Sequence, residues 1–401
     1  MSTIDTASER VRGPVGVDGF FQPRRFAFWL LMVLLVNGVF TVATLIYNGS
    51  RVVPTTVFLG VIVWALYTII PLWFFHQRLD LFAQHPPLGF VLAFAWGGFG
   101  AIYLAAPTNT AFISVLAKTV SPTFSEKWGA AIVGPSTEET LKILGVILLI
   151  LIARTQFRTI LSVVSVGALV GLGFQVIEDF SYTLNVGLAY PGPDQIGPVW
   201  QMLLVRGVLS GIWSHAMFTS IAAFGVGYFV SRPRKPFGLR LGVAVGSFVL
   251  AWAFHFFWNS PILAPTNIFT IPMRGVPLVL LGALLWWLAG REEAGNLVAI
   301  ADHYVGHDLI SVDEQRALAS LHYRRELRRQ ARKQHGRKAA RLYRELQRKQ
   351  LRLVMHYGET GPGPRADQDA LEVRILRDRY DTIVAGHPAT KPEPAPDSAG
   401  S

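Results

Sequence analysis

Two carboxylates and a lysine, Glu138, Glu139 and Lys142, stand in the segment GPSTEETLKIL (134–144), which runs without a break into the apolar GVILLILIA (145–153). Each carboxylate inside a bilayer carries about 2.5–3.5 kcal/mol of insertion cost even on lenient scales, so such residues point to function. The other acidic residues within apolar runs of this chain are Glu178 and Asp179, and the histidines well inside them are His215 and His255. Two imidazoles and a carboxylate make a nitrogen–oxygen ligand set for catalytic zinc, with a position left for water. A further glutamate beside such an ion can take the water's proton as general base. Lys142 is i,i+4 from Glu138 and i,i+3 from Glu139, so it can neutralise one of them in apolar surroundings. Phe174 and Glu178 share a helix face, as do His255 and Asn259.

The elements that must position these groups are membrane spans. The 401 residues are 51% hydrophobic and 16% charged, and the apolar residues fall in eight blocks: 26–47, 53–75, 88–106, 135–153, 159–184, 208–230, 241–258 and 271–289. A run of about 20 apolar residues crosses a bilayer as a helix, so the expected fold is an all-α polytopic bundle of about eight transmembrane helices. The first block is too long for a signal peptide and lacks a small-residue cleavage site, so it reads as an anchor. Arg24, Arg25, Arg78, Arg154, Arg158, Arg232, Arg234, Lys235 and Arg240 lie in alternate loops and at the ends facing them. The positive-inside rule then puts both termini in the cytoplasm. Glu138, His215 and His255 lie about 16, 17 and 15 residues from Arg154, Arg232 and Arg240, roughly 22–26 Å at about 1.5 Å per residue. Glu178 lies about 20 residues from Arg158, a depth that helix tilt lowers toward the same layer. Four helices thus offer polar groups at one depth, in the outer half of the bilayer.

Other stretches read more plainly. Residues 1–25 are expected to be a disordered lead, 26–290 the membrane domain, 291–357 a cytoplasmic basic helical region and 358–401 a largely disordered tail with one short helix around 367–384. The 107–134 segment reads as a semi-apolar outer loop and 189–198 as an outer loop broken by Pro and Gly. Ser136 and Glu139 fit a capping box with Pro135 near a helix start, which would account for Glu139 but not for Glu138 or Lys142. Gly167, Gly171 and Gly173 read as a close helix-packing face. Arg206 and Arg274, near the outer boundary, read as snorkelling side chains. The pair His303 and His307 is a weak metal signal. The chain has no cysteine, which excludes disulfides and thiolate ligands. The net charge of +11 is carried largely by the inner loops and by one long basic helix expected from Gln315 to His356. That helix lacks aromatics interleaved with its arginines, so anionic lipid of the inner leaflet is its expected partner and nucleic acid is not.

Four motifs in order resemble the PrsW family of intramembrane proteases, relatives of the CAAX-type prenyl endopeptidases. EETLK (138–142) is similar to the family's Glu-Glu-x-x-Lys, and FQVIED (174–179) to Phe-x-x-x-Glu followed by a polar residue. His215 in WSHAMF supplies an isolated histidine, and HFFWN (255–259) is similar to His-x-x-x-Asn. The resemblance covers residues 128–260 well; Gly134-Pro135 and Asp179 depart from it, standing where Ala-Pro and Asn are common. It implies an intramembrane endopeptidase of a bacterial plasma membrane, cutting a single-span regulator such as an anti-sigma factor. The implied roles are Glu138 as general base and Glu178, His215 and His255 as ligands of Zn2+. Glu139 is implied as a second ligand or base partner, and Lys142 as the cation that tunes the paired carboxylates. Asn259 would orient His255 or steady the oxyanion. A glutamate-activated water without metal is the variant mechanism. The rival classes are a proton-coupled transporter or channel built on the buried Glu/His cluster and a non-catalytic scaffold.

Overall fold

Within lipid the backbone finds no water to bond, so apolar runs of this length close their hydrogen bonds internally. The computed structural model describes residues 19–79, 87–189, 192–211, 214–262 and 270–386, which are helical with short connections and contain no strand. The chain divides into two compact units, one built from Asp18–Gly290 and the other from the segment beginning at Arg291. The first unit holds α1 (Phe26–Ser50), α2 (Pro54–Leu79), α3 (Pro87–Ala95), α4 (Ile102–Thr119), α5 (Pro122–Ile152) and α6 (Ile160–Ala189). It continues with α7 (Gly197–Met202), α8 (His215–Ser231), α9 (Phe237–Asn259) and the apolar part of α10 (Thr270–Tyr304). Two π-helical stretches, Trp96–Ala101 and Leu203–Ser210, join α3 to α4 and extend α7.

Seven helical segments among the described residues are long and apolar enough to cross a membrane: α1, α2, α3 with α4, α6, α7 with α8, α9 and α10. The remaining expected block lies on α5, a helix of 31 residues whose apolar run is interrupted by Glu138, Glu139 and Lys142. Large apolar side chains such as Phe40, Phe58, Ile70, Val249 and Leu280 are exposed on this unit, as lipid-facing residues should be.

The start of α5 corrects the expected layout. Residues 107–134 are not a loop but the end of α4 and the first turns of α5, and the helix does not begin at Pro135–Ser136. Ser121 and Pro122 make the better start: the Ser121 hydroxyl accepts from the amide of Phe124 at 3.1 Å, and a proline in the first turn needs no donor. Pro135 therefore sits inside the helix, and Ser136 and Thr137 donate to the carbonyls of Ile132 and Val133 on the preceding turn. The capping-box reading of Ser136 and Glu139 falls with it.

α6 is buried along almost its whole length, at the centre of the unit. Its small residues permit that. A Cβ added to Gly171 would overlap the carbonyl oxygen of His215, and one on Gly173 would overlap that of Phe94. The backbone of α8 thus lies directly on α6 just where His215 begins its helix. Gly171→Ala is expected to destabilise the protein by about 1–3 kcal/mol through overpacking. Gly246→Ala, on an exposed helical glycine with nothing near its added Cβ, is expected to stabilise by about 0.5–1 kcal/mol. Thermal unfolding in one detergent compares the two; equal midpoints would remove the close-packing account.

The second unit comprises the end of α10, α11 (Val312–Ala319), α12 (Leu321–Thr360) and α13 (Pro364–Gly386). The single basic helix expected from Gln315 to His356 is two helices, and α12 is itself broken at Gly336, whose φ of 84° only glycine adopts readily. The short helix expected around 367–384 is present and slightly longer, as α13 (Pro364–Gly386), because Ala366, Val373 and Leu376 bury themselves against the rest of the unit. Glu314 completes a capping box with Ser311 and pairs with Arg377. Residues 1–18 and 387–401, parts of the expected disordered ends, lie outside the described residues.

Candidate metal centre

α5, α6, α8 and α9 bring the predicted polar residues to one buried point. Lys142 is fully buried, with Nζ 3.9 Å from the centroid of the Phe174 ring. Its ammonium donates to Glu139 Oε1 at 2.9 Å and lies 3.5 Å from Glu138 Oε2. Glu139 has no exposed surface and every oxygen is engaged: Oε1 also meets His255 Nδ1 at 2.9 Å, and Oε2 accepts from Thr219 at 3.1 Å. Glu138 differs. Its Oε1 accepts from Asn109 Nδ2 at 3.1 Å, while Oε2 is buried with no hydrogen-bond partner.

The two imidazoles are held from opposite sides. His255 is bonded through Nδ1 to Glu139 and stacked on Phe218, with ring centroids 4.6 Å apart. His215 is bonded through Nε2 to Glu178 Oε2 at 2.9 Å. Each carboxylate takes the N–H of its ring, which leaves a lone pair on His255 Nε2 and on His215 Nδ1. These nitrogens each lie 3.9 Å from Glu138 Oε2. Glu138, His215 and His255 accordingly offer one ligand atom each, all within 4.8 Å of one another. An orphaned buried carboxylate oxygen facing two imidazole lone pairs fits a divalent cation in chemistry and in size.

The surrounding charge points the same way. Glu138, Glu139, Glu178 and Asp179 are faced by Lys142 and Arg206 among the described residues of the cluster. With neutral imidazoles and all four carboxylates ionised, the cluster would carry an excess of two negative charges, which one dication would balance. In this structure the nearest cation is the Lys142 ammonium, 2.7 Å from His215 Nδ1.

Glu178 is placed beside this triad, bonding the far nitrogen of His215 and the guanidinium of Arg206 at 2.5 Å. Asn259 donates to the carbonyl of Ala130 at 3.3 Å, tying α9 to α5 about two turns before Glu138. The snorkelling reading of Arg206 is corrected. It reaches inward from the π-helical stretch to bridge Glu178 and Asp179, both at 2.5 Å, and lies over the Tyr182 ring. Arg274 is likewise buried, where it donates to the carbonyls of Trp258, Ser260 and Ile262 and closes the C-terminal end of α9. Asn109 and Thr219 do not stand out in the sequence. Asn109 falls in the stretch that reads as a loop, and a threonine on an apolar helix carries no signal of its own. Two adjacent carboxylates at 178–179 do call for a cation, and Arg206 is the available one.

Arg206→Gln is expected to lose about 3–5 kcal/mol of stability, the cost of stranding buried carboxylates. It should also lose about 10–100-fold of any activity that depends on His215, the usual effect of removing an outer support. Arg206→Lys should recover part of both; an unchanged melting temperature for the glutamine variant would show that the bridge carries no weight.

A family model described as PrsW family intramembrane metalloprotease matches residues 85–288, about half of the chain, from the region of α3 to the apolar part of α10. No curated protein and no solved structure matches the chain.

Proposed function

The chain belongs to the PrsW family of intramembrane metalloproteases, and on that premise we propose that it hydrolyses a peptide bond of a single-span membrane protein at Glu138, His215 and His255. The observation that carries the proposal is the convergence of Glu138 Oε2, His215 Nδ1 and His255 Nε2 within 4.8 Å, with each histidine steadied by its own carboxylate. A divalent ion held by His215 Nδ1 and His255 Nε2 beside Glu138 Oε2, Zn2+ in the first instance, would act as a Lewis acid toward the scissile carbonyl and the attacking water.

The chain's own groups divide the remaining work. Glu138 is the carboxylate with an unbonded oxygen facing both imidazoles, so it takes the proton of the attacking water and passes it to the leaving amine. Asn109 holds its other oxygen and fixes the rotamer. Glu139 keeps the His255 tautomer, and Lys142 offsets the charge of the glutamate pair. Glu178 does for His215 what Glu139 does for His255, with Arg206 as its counter-ion. Asn259, whose amide flanks Gly134 together with the Glu138 carboxylate, is the group placed to steady a developing oxyanion. α5 serves as an eighth span in this reading, both termini face the cytoplasm, and the host membrane is a bacterial plasma membrane.

A metal-free glutamate mechanism is the second reading, favoured by the 2.7 Å approach of the Lys142 ammonium to His215 Nδ1, where a cation would otherwise bind. The transporter reading is weaker, because the polar groups form one enclosed cluster instead of a path across the bilayer. Reconstitution with single-span substrates, an anti-sigma-factor-like regulator among them, tests the proposal. Cleavage within or beside the substrate span is expected; proton or solute flux without cleavage would favour the transporter.

A further inference from the structure

α12 is a helical hairpin. Gly336 breaks it, and the two arms return along one another: Gln347 Nε2 donates to the carbonyl of Arg324 at 3.4 Å, the two residues standing almost symmetrically about the glycine. Ala331, Ala339, Tyr343 and Leu346 are buried. On the opposite sides of the arms the basic residues recur at i,i+3 and i,i+4 spacing. Arg325 and Arg329 on the first arm, with Arg341, Arg344, Arg348 and Arg352 on the second, are all exposed. The two stripes adjoin. Burial, and then the neighbouring charges of Arg344, Arg325 and Arg348, push the guanidinium of Arg328 down.

Among the described residues the exposed arginines of the stripe make no ion pair, and only Arg352 lies close enough to a carboxylate, Glu372, to feel its charge. Asp308, Asp313, Glu314, Asp369 and Glu372 pair with Arg374, Arg316, Arg377, His356 and Lys349. The arms' own Glu326 and Glu345 make no ion pair with the stripe among the described residues. Like charges gathered on one face repel, and a polyanion laid against them relieves the repulsion. The aromatic rings are already engaged: Tyr323 bonds Asp313, Tyr343 is buried, and Tyr357 stacks on Tyr304. The stripe thus lacks the stacking platform with which proteins grip single-stranded nucleic acid. It is also tethered, through α11, to an apolar helix long enough to cross a membrane, so a lipid surface is available to it at high effective concentration.

We propose that the basic stripe of the α12 hairpin docks on anionic phospholipid headgroups of the membrane that anchors the chain. The inference does not depend on the protease reading. Because the protein has no cysteine, Gln334→Cys, at an exposed position near the hairpin tip, gives a single reporter in the full chain. Its reaction with a water-soluble maleimide is followed in nanodiscs of phosphatidylcholine alone and of phosphatidylcholine mixed with phosphatidylglycerol. The rate should fall about tenfold in the anionic discs, the scale expected from a few engaged arginines at about 1 kcal/mol each. High salt, or Arg341→Glu with Arg344→Glu, should restore the rate seen in neutral discs. Equal rates in the two lipid compositions would overturn the proposal. So would protection that arises only when RNA is added, which would assign the stripe to nucleic acid.

Discussion

Glu138→Gln is expected to lower cleavage of a reconstituted single-span substrate by about 10^2–10^4-fold, the range that a positioned acid–base group contributes, with folding and insertion unchanged. Glu139→Gln should lower it by about 10–100-fold, as expected for a group that acts by holding a histidine. The asymmetry follows from their surroundings. Glu139 spends both oxygens on Lys142, His255 and Thr219, whereas Glu138 keeps Oε2 unbonded. The ion content of Glu138→Gln assigns the carboxylate further: a retained ion marks it as the proton acceptor alone, and a lost ion marks it as a ligand as well. If Glu139→Gln proved the more damaging of the two, the roles of the two glutamates would be reversed.

His215→Ala and His255→Ala are expected to have effects of the same order, with loss of any bound divalent ion. Each removes a nitrogen donor from a triad whose atoms lie within 4.8 Å, and each also strands the carboxylate that held the ring. Groups that act as one unit are not additive, so His255→Ala combined with Glu138→Gln should be no slower than the worse single variant. Multiplicative losses in the double variant would mean that the two residues serve separate steps. Circular dichroism and detergent-extracted monodispersity establish that the variants are folded.

The site is legible in the sequence because charge inside an apolar run is conspicuous. Glu138, Glu178, His215 and His255 stand out by cost alone, and counting residues from the flanking arginines puts them at one depth, where Glu138 and the two histidines meet. The partners that finish the site are not legible, for physical reasons. Asn109 holds Glu138 from a helix that weak hydropathy and Pro107 make look like a loop. Arg206 lies near the edge of a span, where a guanidinium can turn outward to water or inward to a carboxylate, and only the packing of the π-helical stretch decides. The start of α5 is hard to place because Pro135–Ser136 and Ser121–Pro122 carry the same local signal. The choice between them rests on α4 packing beside the first turns, where Ser125 donates to the carbonyl of Ile113. The helix after residue 363 is legible as the short helix expected around 367–384, but its full extent is not, since α13 is polar on most sides and is stabilised by contacts with α12.

His215 and His255, with Glu138 beside them, are proposed to hold a divalent ion with which peptide bonds are cut inside the membrane. Metal analysis of the purified protein, paired with the cleavage assay before and after chelation, meets that proposal most directly. About one divalent ion per chain is expected, as in single-ion peptidase sites, with cleavage lost on chelation and restored by Zn2+. Full cleavage by ion-free protein would contradict it and leave Glu138 and the histidines working on water unaided.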